Sequence, residues 1–450
     1  MGSFGEETPN NIFFERESIW KILWKVAPPI MLAQMVQALY NIVDSFFIGN
    51  YADEGLTALS VMFPVQLLIV ALATGIGVGV NVEMARLYAL HETKEAHAIA
   101  GTGLILGITG WFVTALASAL FMHSYVSSCI HSSISIEFGT TYGILVCMGS
   151  LGTFLEGILT NVNQARGNMK RPMAAQISGA VINIILDPLL IFGFGPFPEM
   201  GIAGAAIATV IGQFTSAVIV FRGGFRKPPD LSMLCHCAAV IGMRGFPSIV
   251  MKSMYVVYIA ILNLILSGFS DEAVTVLGLY YKVQAIFVVP IMGMQPSIVP
   301  VLSYNFAQKR FFRCKKIMVN SVLLTAILTL PAVLCYELIP GQMLGLFTEN
   351  AAVISMGIIA FRWTGTSFLP SVLSFLTPTF FQATGYSNPS VFLAVCRPLI
   401  CLVPLFWLFS FIGLNYTWIA FPLAEIITGL LGVWLTYRLV RSWPREVNEI

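Results

Sequence analysis

The stretch RGGFRKPPDLSMLCHCAA, residues 222–239, decides how the chain is read. It carries Arg222, Arg226, Lys227, Pro228, Pro229 and Asp230, and it is the longest polar connection in a sequence that is otherwise one apolar run after another. Toward the N-terminus, runs of about 20 apolar residues, the length that crosses a bilayer, fall near 18–48, 56–82, 96–122, 138–163, 173–194 and 201–221. Toward the C-terminus, further runs fall near 240–268, 273–303, 316–337, 351–382, 388–412 and 416–437. This predicts an all-α polytopic membrane protein with twelve transmembrane helices in two pseudo-symmetric six-helix bundles, residues 1–221 and 240–450, joined by a cytoplasmic linker, 222–239. Composition agrees: 57% of the 450 residues are apolar and 10% are charged, against roughly a quarter charged in soluble proteins, and the mean hydropathy is +0.82. A large soluble domain has no place in such a chain.

If both termini are cytoplasmic, Lys and Arg should collect at the ends and in alternate loops. The inside segments then hold Arg16, Lys21, Lys25, Arg86, Lys94, Arg166, Lys170, Arg171, Arg222, Arg226, Lys227, Arg244, Lys309, Arg310, Arg313, Lys315, Lys316, Arg438, Arg441 and Arg445, which is 20 of the 24 basic residues. The outside loops hold only acids: Asp53, Glu54, Glu137, Glu199, Asp271, Glu272, Glu337 and Glu349. A balance of 24 basic against 22 acidic residues gives no reason to expect a nucleic-acid partner.

Cysteines 129, 147, 235, 237, 314, 335, 396 and 401 are scattered and form no disulfide framework. Cys235-His236-Cys237, alone on a short linker, makes a poor tetrahedral metal site. Glu6, Glu7, Glu15 and Glu17 precede the first apolar run, which is unlike a signal peptide. Gly2 is a poor myristoylation site because Glu6 stands where Ser or Thr is expected. His91, His97, His123, His131 and His236 fall in loops or at span ends, and neither His-Glu-x-x-His nor Gly-x-Ser-x-Gly occurs, so no enzyme and no cofactor are expected.

Shifting the chain on itself by 219 residues brings Pro28 onto Pro247, Ile30 onto Ile249, Asp44 onto Asn263 and Gly49 onto Gly268. A shift of 216 brings Pro188 onto Pro404 and Thr209 onto Glu425. Two copies of an even number of spans enter the membrane in the same sense and are related by an axis along its normal. Parallel repeats of this kind place a substrate site between the halves and alternate its exposure, which points to a transporter.

Ionisable groups inside spans are costly, about 2.5–3.5 kcal/mol each on insertion scales, and are functional candidates by default. Asp44 lies well inside span 1 and Asp187 in the middle of span 5. Asn183 shares a helix face with Asp187, and Thr209 lies in the small-residue run Gly201 to Thr209 of span 6. Together they offer hard oxygen donors able to hold Na⁺ or to share a proton, because two neighbouring carboxylates in low dielectric do not both stay charged without a counter-ion. The competing reading makes Asp44 and Asp187 helix caps near the outer surface, or packing partners only. Glu156 in span 4 could join the same cavity. Asn161, Asn163 and Gln164 read as interfacial. Glu425 is the mid-span acid of the second half, with Lys252, Lys282, Arg362 and Arg397 as possible partners or as snorkelling side chains.

Several motifs resemble the multidrug and toxic compound extrusion (MATE) transporters, prokaryotic branch, over nearly the whole chain. They are Pro28-Pro29 followed by Gln34, Asp44 and Gly49; Arg166-Gly167-Asn168; Asn183 to Pro188; Gly201 to Thr209; Gln295-Pro296 with Tyr304 to Ala307; Leu346-Phe347-Thr348; Phe381 to Gly385; and Arg397-Pro398. The resemblance implies secondary antiport at the cell inner (plasma) membrane, with amphipathic organic cations leaving in exchange for Na⁺ or H⁺. It also implies a cation site at Asp44, Asn183, Asp187 and Thr209, bending of span 1 at Pro28 or Pro29, and a monomer. Asn263 in place of an acid, and the lack of second-half copies of Asn183 and Asp187, depart from branches with a cation site in the second half. Substrate contacts are expected at Gln34, Tyr40, Met62, Phe63, Gln66, Glu156, Tyr255, Tyr258, Asn263, Met292 and Met294. The alternative within the superfamily is a lipid-linked oligosaccharide flippase, whose basic cavity residues would be Lys252, Lys282, Arg362 and Arg397.

Overall fold

The computed structural model describes residues 13–129, 132–348 and 350–444, without the side chains at 45, 53, 54, 56, 57, 231 and 271. Gly2, Glu6, Glu7, His131, Glu349 and Arg445, and the side chains of Asp53, Glu54 and Asp271, lie outside the described residues. The main helices are α1 Ile19–Tyr51, α2 Asp53–Ala89, α3 Thr93–Cys129, α4 Ser133–Gly149, α5 Leu151–Ala165, α6 Lys170–Ile191 and α7 Gly201–Gly224. After the crossing come α8 Leu231–Ser267, α9 Asp271–Phe287, α10 Val289–Ala307, α11 Phe311–Leu338, α12 Ala351–Thr366 and α13 Phe368–Ala383. The last are α14 Ser387–Val395, a π-helical turn Cys396–Leu402, α15 Val403–Ser410 and α16 Ala420–Arg441. No strand occurs among the described residues.

Among the described residues, nine helical segments are long and apolar enough to cross a membrane, and three bent pairs bring the number to twelve if each pair is one span. Those twelve coincide with the apolar runs of the sequence. In hydrocarbon a chain satisfies its backbone only as a helix or closed barrel, and apolar helices are the outcome. The bends are 42° between α4 and α5, 52° between α9 and α10, and 49° between α12 and α13. Each has a local cause. Ser150 and Ser367 sit at their breaks and turn their hydroxyls onto the carbonyls of Cys147 (2.7 Å) and Thr364 (2.5 Å). At the third, Pro290 enters at the start of α10 and removes a donor.

The backbone itself repeats. Among the described residues, His91 (φ 63°) and Lys309 (φ 59°) are the non-glycine residues with positive φ, and they stand 218 positions apart. Gly167 (φ 81°) and Gly385 (φ 84°) have the same spacing. All four follow helix ends and are closed by the same long bond. Glu92 N donates to Leu87 O and Arg310 N to Asn305 O, while Asn168 N donates to Asn163 O and Tyr386 N to Phe381 O. This is the Schellman closure, in which a left-handed residue lets the chain fold back on its last free carbonyls.

The chain forms two compact units, one comprising residues 1–16 and Leu32–Ile249, the other Glu17–Met31 and Val250–Ile450. The boundaries expected at 222–239 are therefore not those of the units. α7 runs through Gly224 and α8 starts at Leu231, leaving only 225–230 between helices. Close packing explains why α8 begins in the first unit. A Cβ on Gly79 would strike the carbonyl of Ile241, one on Gly245 would strike the carbonyl of Gly75, and Arg244 Nε pairs with Glu83 Oε2 at 2.6 Å. The start of α1 is held in the second unit in the corresponding way. A Cβ on Gly293 would lie 2.9 Å from Met31 Cα, Ser297 donates to Val26 O, and Arg313 donates to Glu17 O at 2.6 Å. Gly75 and Gly293, and Gly79 and Ser297, are again 218 apart. The first unit is built around two apolar clusters, one about Val80, Ile99 and Ile158 and one about Met62, Tyr142 and Phe154. The second unit holds a cluster rich in tyrosine and phenylalanine, about Tyr280, Tyr336 and Phe361.

Candidate functional site

In the first unit, glycines bring α6 and α7 into backbone contact. A Cβ on Gly179 would lie 2.7 Å from Gly212 O, and one on Gly212 would lie 2.8 Å from Gly179 O. Gly204 lies against Leu190 in the same way. Small residues let helices approach closely where packing and hydrogen bonds, rather than water exclusion, hold them together. The consequence is polar: Thr209 on α7 reaches Asn183 on α6, whose Nδ2 donates to Thr209 Oγ1 (3.4 Å) and to Asp187 Oδ1 (3.3 Å).

Asp44 on α1 completes the group. It is buried, as are Asn183, Asp187 and Thr209, and Asp187 has no exposed surface. The two carboxylates are within electrostatic reach of each other, and Tyr40, one helical turn before Asp44, feels both of them and Glu156. Asp44 Oδ1, Asn183 Oδ1 and Asp187 Oδ2 are buried acceptors with no hydrogen-bond donor among the described residues. Buried acceptors are nearly always satisfied, so three left without a donor in one group stand out. Among the described residues no group of three or more His, Cys, Asp or Glu is arranged to hold a metal ion; the donors are two carboxylates, an amide and a hydroxyl.

Asp187 is four residues from the end of α6, because the turn at Gly193 (φ 72°) and Gly195 (φ 71°) closes the helix at Ile191. Asp44 is seven residues from the end of α1.

Around the group, Gln66 Nε2 donates to the buried Tyr142 hydroxyl at 3.0 Å, and Tyr142 is also within electrostatic reach of Asp44. Glu156 Oε1 accepts from Thr160 and from Gln176 of α6, both at 3.1 Å. Sequence reading missed Tyr142, Gln176 and Thr160. Only Thr160, one turn after Glu156, left a signal there. Of the other residues expected to meet substrate, Gln34 is partly buried on α1, Phe63 is exposed, and Met62 is sealed in the apolar core against Gly143. Asn161, Asn163 and Gln164, expected at an interface, are buried in a network instead. Asn81 donates to Asn161 and Gln164, Asn163 donates to Val220 O, and Arg166 donates to Gly223 O.

The second unit holds a different polar centre. Glu425, which the 216-residue shift of the sequence sets against Thr209, is paired with Arg397, at 2.8 Å from Nε and 2.7 Å from Nη2, both on Oε1. Its other oxygen accepts from Ser374. Arg397 lies 4.1 Å from the centroid of the Phe375 ring, and Tyr258 is within its electrostatic reach. Tyr255 meets Tyr258 and Tyr281 in T-shaped contacts, and Tyr281 lies tilted against Tyr258 and Tyr280. Among the basic residues considered, Arg397 is thus the partner of Glu425. Met292 and Asn263 are partly buried and Met294 is fully buried.

The chain is similar to known proteins along its whole length. The MatE family model matches residues 29–189 and again 247–408, so the one model recognises both halves. The multidrug export protein MepA of Staphylococcus saprophyticus is 25% identical over 441 residues, covering 95% of each chain. MepA of Staphylococcus aureus is 23% identical over 446 residues, covering 97% of this chain and 98% of that one. Among solved structures, a MOP superfamily transporter from Pyrococcus furiosus superposes with a TM-score of 0.90 at 22% identity, over 97% of this chain and 99% of that one. An outward-facing multidrug resistance MATE family transporter gives 0.91 at 22%, with the same coverage. The two matched blocks make up well over half of the sequence, and the chain belongs to the MATE family of membrane transporters.

Proposed function

We propose that this transporter is a cation-coupled antiporter of the plasma membrane that exports amphipathic organic cations in exchange for Na⁺ or H⁺. It would act as a monomer with both termini in the cytoplasm. The observation that carries the reading is the set of orphaned acceptor oxygens on Asp44, Asn183 and Asp187. Such a pocket stays charged and ready for an organic cation, or takes an ion and becomes neutral. The two ligands compete for one negative charge, and that competition makes exchange obligatory, since a ligand shifts a conformational equilibrium only by its differential affinity. The multidrug export named for the MepA relatives supports the substrate class. The flippase alternative loses one of its four basic residues, because Arg397 is engaged by Glu425.

The test is transport in proteoliposomes with Na⁺ and pH gradients imposed separately and ethidium as substrate. One gradient alone should drive efflux and so name the ion. Asp44→Asn and Asp187→Asn should each lower ion-driven efflux by roughly 5–150-fold, the span of typical coupling free energies. Wild-type rates with equal protein in the membrane would overturn the assignment. Rescue of polysaccharide export in a flippase-deficient cell would favour the alternative.

A further inference from the structure

A cavity of about 420 Å³ lies on the first unit, at the other end of α6 from Asp187, and is lined by Arg171, Val218, Ile219 and Arg222. Arg171 is in the first turn of α6 and Arg222 in the last turn of α7, and the two helices are packed neighbours. Asp187 is 16 residues further along α6, roughly 24 Å away at 1.5 Å per residue. The cavity is therefore distinct from the ion site.

Its walls are of two kinds. Two of the four lining residues carry guanidinium groups, planar forks suited to bidentate binding of phosphate. The other two are branched aliphatic, and Val218, one turn before Arg222, is 63% exposed on an apolar helix, as a residue facing lipid would be. Arg171 is held in position. Its backbone N–H donates to Asn168 Oδ1 at 3.1 Å, and its guanidinium lies against Gly223, where a Cβ would meet Nη1 and would stand 2.6 Å from Asn163 Oδ1. Only glycine at 223 leaves room for the arginine to lie there. Lys170, beside Arg171, is exposed and adds to the charge.

We infer that this cavity binds the head group of an anionic phospholipid, with the phosphate between Arg171 and Arg222 and the start of an acyl chain along Val218 and Ile219. Basic pockets between transmembrane helices on the cytoplasmic side are a recurrent form of anionic-lipid site. The volume is within the range of small-molecule pockets, about 300–1,000 Å³. A free phosphate would use the arginines but would leave the aliphatic wall unfilled, which is why the lipid is the favoured occupant.

The experiment uses the full-length protein in phosphatidylcholine nanodiscs, titrated with a fluorescent phosphatidylglycerol, with inorganic phosphate as competitor. Wild type should bind phosphatidylglycerol over phosphatidylcholine. Arg171→Gln/Arg222→Gln should weaken that binding by about thirtyfold, some five- to sixfold per arginine. Lys315→Gln/Lys316→Gln, which removes two exposed charges elsewhere, should leave it unchanged. Val218→Phe, which fills the aliphatic part, should weaken the lipid alone. Should the double arginine variant fail to fold, Arg222→Gln at an exposed position carries the same test at five- to sixfold. Unchanged binding in the arginine variants, or displacement of the lipid by millimolar inorganic phosphate with Val218→Phe unaffected, would overturn the proposal, the latter in favour of a free-phosphate site.

Discussion

Asp187 has no exposed surface, and one of its oxygens has no donor. A carboxylate oxygen left without a donor in such a place is costly. Asp187→Asn keeps the shape and removes that cost. It should preserve or raise the thermal midpoint of the purified protein while lowering ion-driven efflux, a separation that misfolding would not produce. Glu425 poses the opposite case, since its charge is answered by Arg397 and Ser374. Arg397→Met should cost about 3–5 kcal/mol by leaving a buried charge alone, while Arg397→Met/Glu425→Met should be near neutral; thermal unfolding in detergent reads both. Much of this chemistry was legible in sequence. The spacing of Asn183 and Asp187 puts them on one helix face, and mid-span acids are rare enough to stand out. Tyr142 was not legible, because its link to Gln66 joins residues 76 apart and depends on packing that no local pattern records.

At the scale of the elements, the spans follow from apolar length alone, but their bends and sharing do not. Ser150 and Ser367 look like ordinary small polar residues until the chain breaks at them. Likewise, nothing in the polarity of residues 222–239 says that α8 starts on the first unit. That depends on how near Gly245 comes to Gly75, a contact across the fold. Two glycines one turn apart on α8 separate the effects. Gly242 has nothing within 4 Å of an added Cβ, whereas Gly245 faces backbone. Gly242→Ala should stabilise by about 0.5–1 kcal/mol through helix propensity. Gly245→Ala should destabilise by about 1–3 kcal/mol through overpacking. The difference in thermal midpoint between the two variants is the measurement.

For the whole molecule, orientation is the open quantity with a direct test. Cys129, at the end of α3, and Cys235, in the first turn of α8, are both exposed. With both termini inside, a membrane-impermeant thiol reagent applied to intact cells should label a variant retaining only Cys129 and spare one retaining only Cys235. Equal labelling, or the reverse, would refute the topology. The basic residues that predicted it are a side-selective pattern rather than a packing one, so they are readable without a structure.

The sharing of α1 between the two units also has a consequence in time. Glu17 and Val26 find their hydrogen-bond partners at Arg313 and Ser297, 296 and 271 residues later in the chain. At about 5–20 residues per second of synthesis, the start of α1 waits roughly 14–59 s on the ribosome before those partners exist. Until then the first unit is assembled around a helix whose leading half belongs elsewhere, so a nascent chain arrested before residue 297 should show α1 open to proteolysis at its N-terminal half and protected at its C-terminal half.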